Sequence, residues 1–339
     1  MTSTTSIQKP QLDSLVLLRG LAAIMVCFYH FTYTLPAGYV AKFFHEYGLY
    51  GVEIFFIISG FVIPLSLFNS KYQLQDYGKF LYKRLLRLHP PYLAALLLTL
   101  ITIFFSYRVR HVPFPETAAS ILGYVFYQGH PADNPVFWTL KVEAEYYLFI
   151  GLFYAALCRA PKLTLYVLMP FLLVLGQTGA NDVVRLLEFL LFFMIGTVGF
   201  LLYVNKGNRS ENILIISALL IAVAFVYNVG LAFLCCATIV LIVGYQVRLS
   251  GLPELIGRMS YSIYLIHFVI GVKFINFLQH RMPLACRPFL FTAALLVSIG
   301  AGWIFYKLVE ERFEHLSRRI RYGTPSRTHH SIMTASQAS

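Results

Sequence analysis

The sequence predicts an all-α integral membrane protein, a bundle of about ten transmembrane helices with both termini in the cytoplasm. Three observations lead there. First, 58% of the 339 residues are hydrophobic and only 12% are charged, about half the charged share of an ordinary soluble domain. Mean hydropathy is +0.68. So few charges do not cover a water-facing surface, which excludes a soluble globular enzyme and a disordered chain. Second, ten apolar segments approach the roughly 20 residues that a bilayer core demands. They are 15–36, 48–68, 85–107, 136–157, 163–178, 185–204, 211–228, 230–248, 259–279 and 286–309. Third, Lys and Arg are unevenly distributed. With the N-terminus inside, the inner segments hold 18 of them and the outer segments 6, which is the positive-inside pattern.

The connecting segments add detail. Period-2 alternation is absent, and an open sheet cannot satisfy its backbone in lipid, so strands are excluded. The stretch 108–135 holds Pro113, Pro115, Pro131 and Pro135 and reads as a structured loop or short re-entrant helix. Residues 311–339 read as a basic cytoplasmic tail, with the last fifteen Ser/Thr-rich and disordered. The chain shows no internal repeat and no cleavable signal peptide. Its five cysteines lie in or beside apolar runs without metal or CxxC spacing.

The formal charge of +12 mostly orients helices. Ionisable side chains inside spans are different, since each costs roughly 2.5–3.5 kcal/mol on insertion scales. Arg19 and His30 are eleven residues apart, nearly three full turns, so they share one helix face about 16 Å apart along the axis. This places Arg19 at headgroup level and His30 near mid-membrane. The structural alternative is a snorkelling arginine and a hydrogen-bonded core histidine. Glu53 in GVEIFFIISGFVI has only Leu49, Tyr50, Phe56 and Ile57 at helical spacing, none of which neutralises it. In LYKRLLRLHPPYL, Arg84 and Arg87 are at i and i+3, on one face. Lys83 and His89 extend the cluster, and Pro90–Pro91 bends the chain beside it. That arrangement serves as a membrane anchor or as a phosphate clamp.

In FWTLKVEAEYYLF, Lys141 and Glu145 pair at i and i+4, which leaves Glu143 an orphan beside Tyr146 and Tyr147. Trp138 stands at the mouth of that span. His267 lies beyond Tyr261 and Tyr264 in SYSIYLIHFVIGV. Five such residues (Arg19, His30, Glu53, Glu143 and His267) spread over four spans imply a polar chamber with a basic cytoplasmic entrance.

These segments, in this order, resemble the membrane-bound acyltransferase family 3, the bacterial O-acyltransferases of cell-surface polysaccharides. The similar stretches are LDSLVLLRGLAAIMVCFYHF with Arg19-x10-His30, GVEIFFIISGFVI, KRLLRLHP, FWTLKVEAEYY and MSYSIYLIHFVI. The chain looks like the short form that lacks a C-terminal esterase-like domain, with the acyltransferase domain over 1–310. Two positions depart from the pattern: Glu53 stands where the family often has Asp, and its double acid is Glu143–Ala144 here.

The resemblance implies transfer of an acyl group, usually acetyl, from cytoplasmic acyl-CoA to a hydroxyl of an exopolysaccharide, surface antigen or lipid-linked sugar at the cell inner membrane. Acyl-CoA is then a cosubstrate, and no bound cofactor or metal is expected. His30 becomes the catalytic base or nucleophile, with Glu143 or Glu53 orienting it. Arg19, Arg84 and Arg87 hold the CoA phosphates. Trp138, Tyr147, Tyr261 and His267 line the chamber or receive the acceptor. Membrane lipids are partners, nucleic acid is not, and a homo-oligomer stays open. The competing reading is a proton-coupled transporter or flippase for a lipid-linked sugar. The lack of a repeat or of a Gly/Pro-broken helix pair weighs against it.

Overall fold

The computed structural model describes residues 13–32, 39–245, 248–283 and 287–322. Every regular element among them is helical. The first is α1 (Asp13–Thr32). α2 (Tyr39–Tyr47) passes through a 3₁₀ turn, Gly48–Tyr50, into α3 (Gly51–Asn69). Next come α4 (Tyr77–Val109), α5 (Ala118–Val125) and α6 (Trp138–Arg159). The shorter α7 (Pro161–Leu175) contains a π turn, Thr164–Leu168. α8 (Leu186–Tyr203), α9 (Arg209–Val226) and α10 (Val229–Gly244) follow. A short α11 (Leu252–Arg258) leads into α12 (Ser260–Leu278), which has a π turn at Phe268–Val272. Finally, α13 runs as Arg287–Phe305, a π turn Tyr306–Glu310, and Glu311–Arg319.

Seven helices among the described residues are long and apolar enough to cross a membrane: α1, α2–α3, α4, α8, α9, α12 and α13. α7 and α10 are apolar but shorter. α6 has span length, but it carries Lys141, Glu143 and Glu145 in its first half. Outward-facing side chains are large and apolar: Leu97, Phe105, Leu152, Phe225, Phe233 and Leu296 are each more than half exposed. Such a surface suits lipid rather than water.

Helix starts follow capping chemistry. The Asn208 side chain accepts from Ser210 N at 2.9 Å at the start of α9, and Asn228 accepts from Leu231 N at 2.8 Å at the start of α10. Thr117 and Ser120 form a reciprocal capping box on α5. Glu145 accepts from Leu186 N at 2.7 Å, so a carboxylate of α6 caps α8. Close helix contacts follow glycine. A methyl group on Gly196 would lie 2.1 Å from the Ile57 carbonyl, and one on Gly60 2.2 Å from the Phe193 carbonyl. α3 and α8 therefore touch backbone to backbone.

Two departures from the sequence reading, and one agreement with it, bear on the site. The span read as 85–107 starts earlier, so Arg84 and Arg87 lie well inside α4, which begins at Tyr77 and continues through Pro90 and Pro91. Its 33 residues span about 50 Å, far more than a ~30 Å hydrocarbon core. The stretch after Val109 contains a short helix, α5, in keeping with the structured loop or short helix read from its sequence, and it folds back along α4. Asn134 Nδ2 donates to Thr99 Oγ1 at 3.0 Å, Tyr92 OH donates to Tyr124 O at 2.5 Å, and His89 Nδ1 pairs with Tyr127 OH at 2.9 Å. Lastly, the helix continues past residue 310 to Arg319 and packs on α4. Only residues from 320 remain for a tail, of which 323–339 lie outside the described residues.

Candidate active site

A cavity of about 110 Å³ opens between α1, α3, α4, α6 and α12. Arg19 comes from α1, Arg84 and Arg87 from α4, Glu143 and Tyr147 from α6, and Tyr261 and Tyr264 from α12. Val52, Phe55, Ser59 and Ile63 of α3 make the opposing wall. Three arginines from two distant sequence segments thus meet one carboxylate and three phenols.

Each arginine is held differently. Arg84 is only 8% exposed, and its Nε has no hydrogen-bond partner. Its guanidinium lies 5.7 Å from the Phe80 ring centroid and 5.9 Å from that of Tyr147. A buried cation with an unused donor is a costly arrangement unless an anion completes it. Arg87 faces Glu314 of α13 at 3.8 Å, and Glu314 also accepts from Arg318 at 2.8 Å. Arg19 Nε donates to Ser260 Oγ at 3.3 Å, at the start of α12.

The carboxylates are also placed. Glu143 is not an orphan, because Tyr147 OH, one turn along the same helix, donates to its Oε1. Glu53 lies in the first turn of α3, after the 3₁₀ turn, where helix-terminal amides favour a negative charge. It is buried, and its Oε2 has no hydrogen-bond partner. It does not line the cavity.

His30 and His267 lie behind the cavity rather than in it. His30 is two residues from the last residue of α1. Its ring centroid is 5.3 Å from that of His267 and 5.2 Å from that of Phe268. Tyr264 links this layer to the cavity, with its ring 5.9 Å from His267 and 5.8 Å from Phe55. Among the described residues, no hydrogen bond joins His30 to Glu53 or to Glu143.

Other sequence candidates separate from the cluster. Trp138 packs on Phe189 at 5.1 Å, and the Arg185 guanidinium lies 5.3 Å from its ring; it is not among the residues lining the cavity. Lys83 donates to Ile320 O at 3.4 Å and lies over the Tyr322 ring. Burial raises the Tyr322 phenol above its ordinary pKa, while the nearby Arg84 charge opposes that shift. His89 belongs to the Tyr127 contact. Lys141 and Glu145 pair at 3.9 Å, as their spacing predicts.

Two carboxylates escaped the sequence reading. Glu310 is 3% exposed and accepts from both the amide (3.1 Å) and the hydroxyl (2.5 Å) of Ser262, capping the start of α12. Glu314 is the ion-pair partner of Arg87. The available signal was the amphipathic period of ERFEHLSRR, whose polarity made it look like tail.

Residues 12–307 match the acyltransferase domain of acyltransferase family 3. The chain belongs to that family. Comparison with curated proteins and with solved structures gives no match. Family membership makes the chain an acyltransferase, and its apolar helices make it a multi-pass membrane protein. In this acyltransferase the arginines from α1 and α4 share one cavity, while aromatic rings lie between that cavity and His30.

Proposed function

We propose that this acyltransferase moves an acyl group, most often acetyl, from cytoplasmic acyl-CoA to a hydroxyl of an exopolysaccharide, surface antigen or lipid-linked sugar at the cell inner membrane. The observation that carries the reading is the buried Arg84, with its unused Nε, facing a cavity it shares with Arg19 and Arg87. CoA is polyanionic, and guanidinium groups pair well with phosphate oxygens. With α6, α7 and α10 read as spans beside the seven long helices, both termini share one side, and the Lys/Arg bias favours the cytoplasm for them and for the arginine mouth.

In this reading the phosphates stay at the arginines, and the thin pantetheine arm passes Phe55 and Tyr264 towards His30. The ~16 Å rise between Arg19 and His30 suits such an arm. His30 takes the proton of the sugar hydroxyl as its oxygen attacks the thioester carbonyl. The C–S bond breaks, and the sulfur leaves with a proton returned by the imidazole. Tyr147 holds the Glu143 carboxylate on the cavity wall. The acceptor approaches from the side of α5 and its flanking loop.

The test of the donor site is Arg84→Ala. We expect the KM for acetyl-CoA to rise about 10- to 100-fold, as for loss of a charged hydrogen bond, measured by free-CoA release from purified protein. An unchanged KM would remove Arg84 from the donor site. Glu314→Gln acts in the opposite direction. It removes the internal counter-ion of Arg87, so KM for acetyl-CoA falls about two- to fivefold, the scale of a partly exposed pair. A proton-coupled flippase would release no CoA at all.

A further inference from the structure

His267 is a buried titratable group with no role in the reading above. It is 0% exposed. Its Nδ1 lies 2.8 Å from the Tyr264 carbonyl and 3.2 Å from the Ile263 carbonyl. A carbonyl only accepts, so Nδ1 must carry the proton. Nε2 is then a bare lone pair, and this buried nitrogen has no hydrogen-bond partner. Burying such an acceptor unpaired is costly.

A second imidazole is packed beside this ring. α1 brings His30 to a centroid distance of 5.3 Å. Two imidazoles joined by one N–H···N bond of ~3 Å have centroids roughly 5.3 Å apart. The observed centroid spacing matches that of such a pair, with the two ring planes 41° apart. Packing holds the spacing, since a methyl group on Gly271 would lie 2.5 Å from both the Phe31 ring and Ser298 Oγ. The π turn Phe268–Val272 starts at the next residue, and such turns often accompany functional sites.

The other titratable and charged groups around His267 are few. Tyr264 shares its helix. Glu310 of α13 is committed to Ser262, one turn before His267, and Lys273 is paired with Asp133, beyond it. Phe31 of α1 and Phe268 are apolar neighbours. Among the described residues, His30 is thus the proton-exchanging ring packed beside this imidazole.

We propose that His267 is a positioning and proton-relay residue for His30. As one nitrogen of His30 takes the acceptor hydroxyl proton, its other N–H passes its proton to His267 Nε2. His30 stays neutral and His267 becomes the cation, held by the two carbonyls that already accept from its Nδ1–H. When the C–S bond breaks, the proton returns through His30 to the thiolate. The proposal rests on the acyltransferase reading with His30 at the reacting centre.

The test is His267→Gln, which keeps a donor for the carbonyls and removes the basic nitrogen. We expect kcat to fall about 10- to 100-fold at neutral pH, within the usual range for proton-transfer groups. KM for acetyl-CoA should stay within twofold, and the deficit should shrink as pH rises and hydroxide replaces the relay. An equal deficit at every pH, or none, overturns the proposal. Histidine-selective ¹⁵N spectra add a readout that needs no turnover. Wild-type His267 should be the Nδ1–H tautomer, and His267→Gln should shift the ring nitrogens of His30. Unshifted His30 signals overturn the pairing. A wild-type protein that releases no CoA would instead overturn the acyltransferase reading, with the spectra still deciding the pair.

Discussion

His30→Ala is expected to abolish sugar acylation, with a loss of roughly 10²- to 10⁴-fold in transfer rate, the span typical of a lost general base. Binding of acetyl-CoA should survive, because the three arginines line a cavity that His30 does not reach. Transfer measured in membranes and donor binding measured on purified protein separate the two effects. Normal transfer by His30→Ala would end the assignment of this histidine. Radiolabelled donor without acceptor asks a finer question. Label retained on the wild type and lost in His30→Ala indicates an acyl-imidazole intermediate. Absence of label indicates direct attack by the hydroxyl.

The largest expected effect on stability comes from Gly196→Val. A first methyl at Gly196 already falls 2.1 Å from a backbone carbonyl of α3, and the reciprocal position, Gly60, is as tight. Backbone does not step aside as a flexible side chain does, so the two helices must separate. Their contact includes the Thr197 hydroxyl, 3.2 Å from Gly60 O and 2.9 Å from Phe193 O. Overpacking of this kind costs roughly 3 kcal/mol or more. The cost reaches the site, because α3 supplies the cavity wall from Val52 to Ile63. Thermal denaturation in detergent should show a strongly lowered midpoint or no folded protein. Gly78→Ala is the control. Nothing lies within 4 Å of a methyl group there, so stability should hold or rise slightly. Equal behaviour of the two variants would show that α3 and α8 do not pack this closely.

Much of the fold is legible because lipid imposes simple rules. Apolar runs mark helices, and scarce charges mark the interior. Arg84 and Arg87 are visible as a pair because three residues make almost one turn, and Arg19 because it interrupts an apolar stretch. The remainder depends on contacts between distant segments. Nothing local shows that His30 and His267, 237 positions apart in the chain, bring their rings together. Glu143 has no opposite charge at helical spacing, and its partner is instead a neutral hydroxyl, Tyr147 one turn away. Trp138 packs on Phe189 with Arg185 beside its ring, contacts between segments about 50 residues apart that no local pattern shows. The folding of the loop after Val109 along α4 depends on single hydrogen bonds at Thr99, Tyr92 and His89, which leave no periodic trace.

The last helix separates two meanings of a domain boundary. Similarity to the family ends at residue 307, yet the residues just beyond it complete the cytoplasmic end. A polypeptide stopped at Lys307 would retain every matched position. It would also forfeit the carboxylate that caps α12 at Ser262, the counter-ion of Arg87 and the carbonyl that receives Lys83. Ancestry sets one edge of this enzyme, and packing sets another about a dozen residues later.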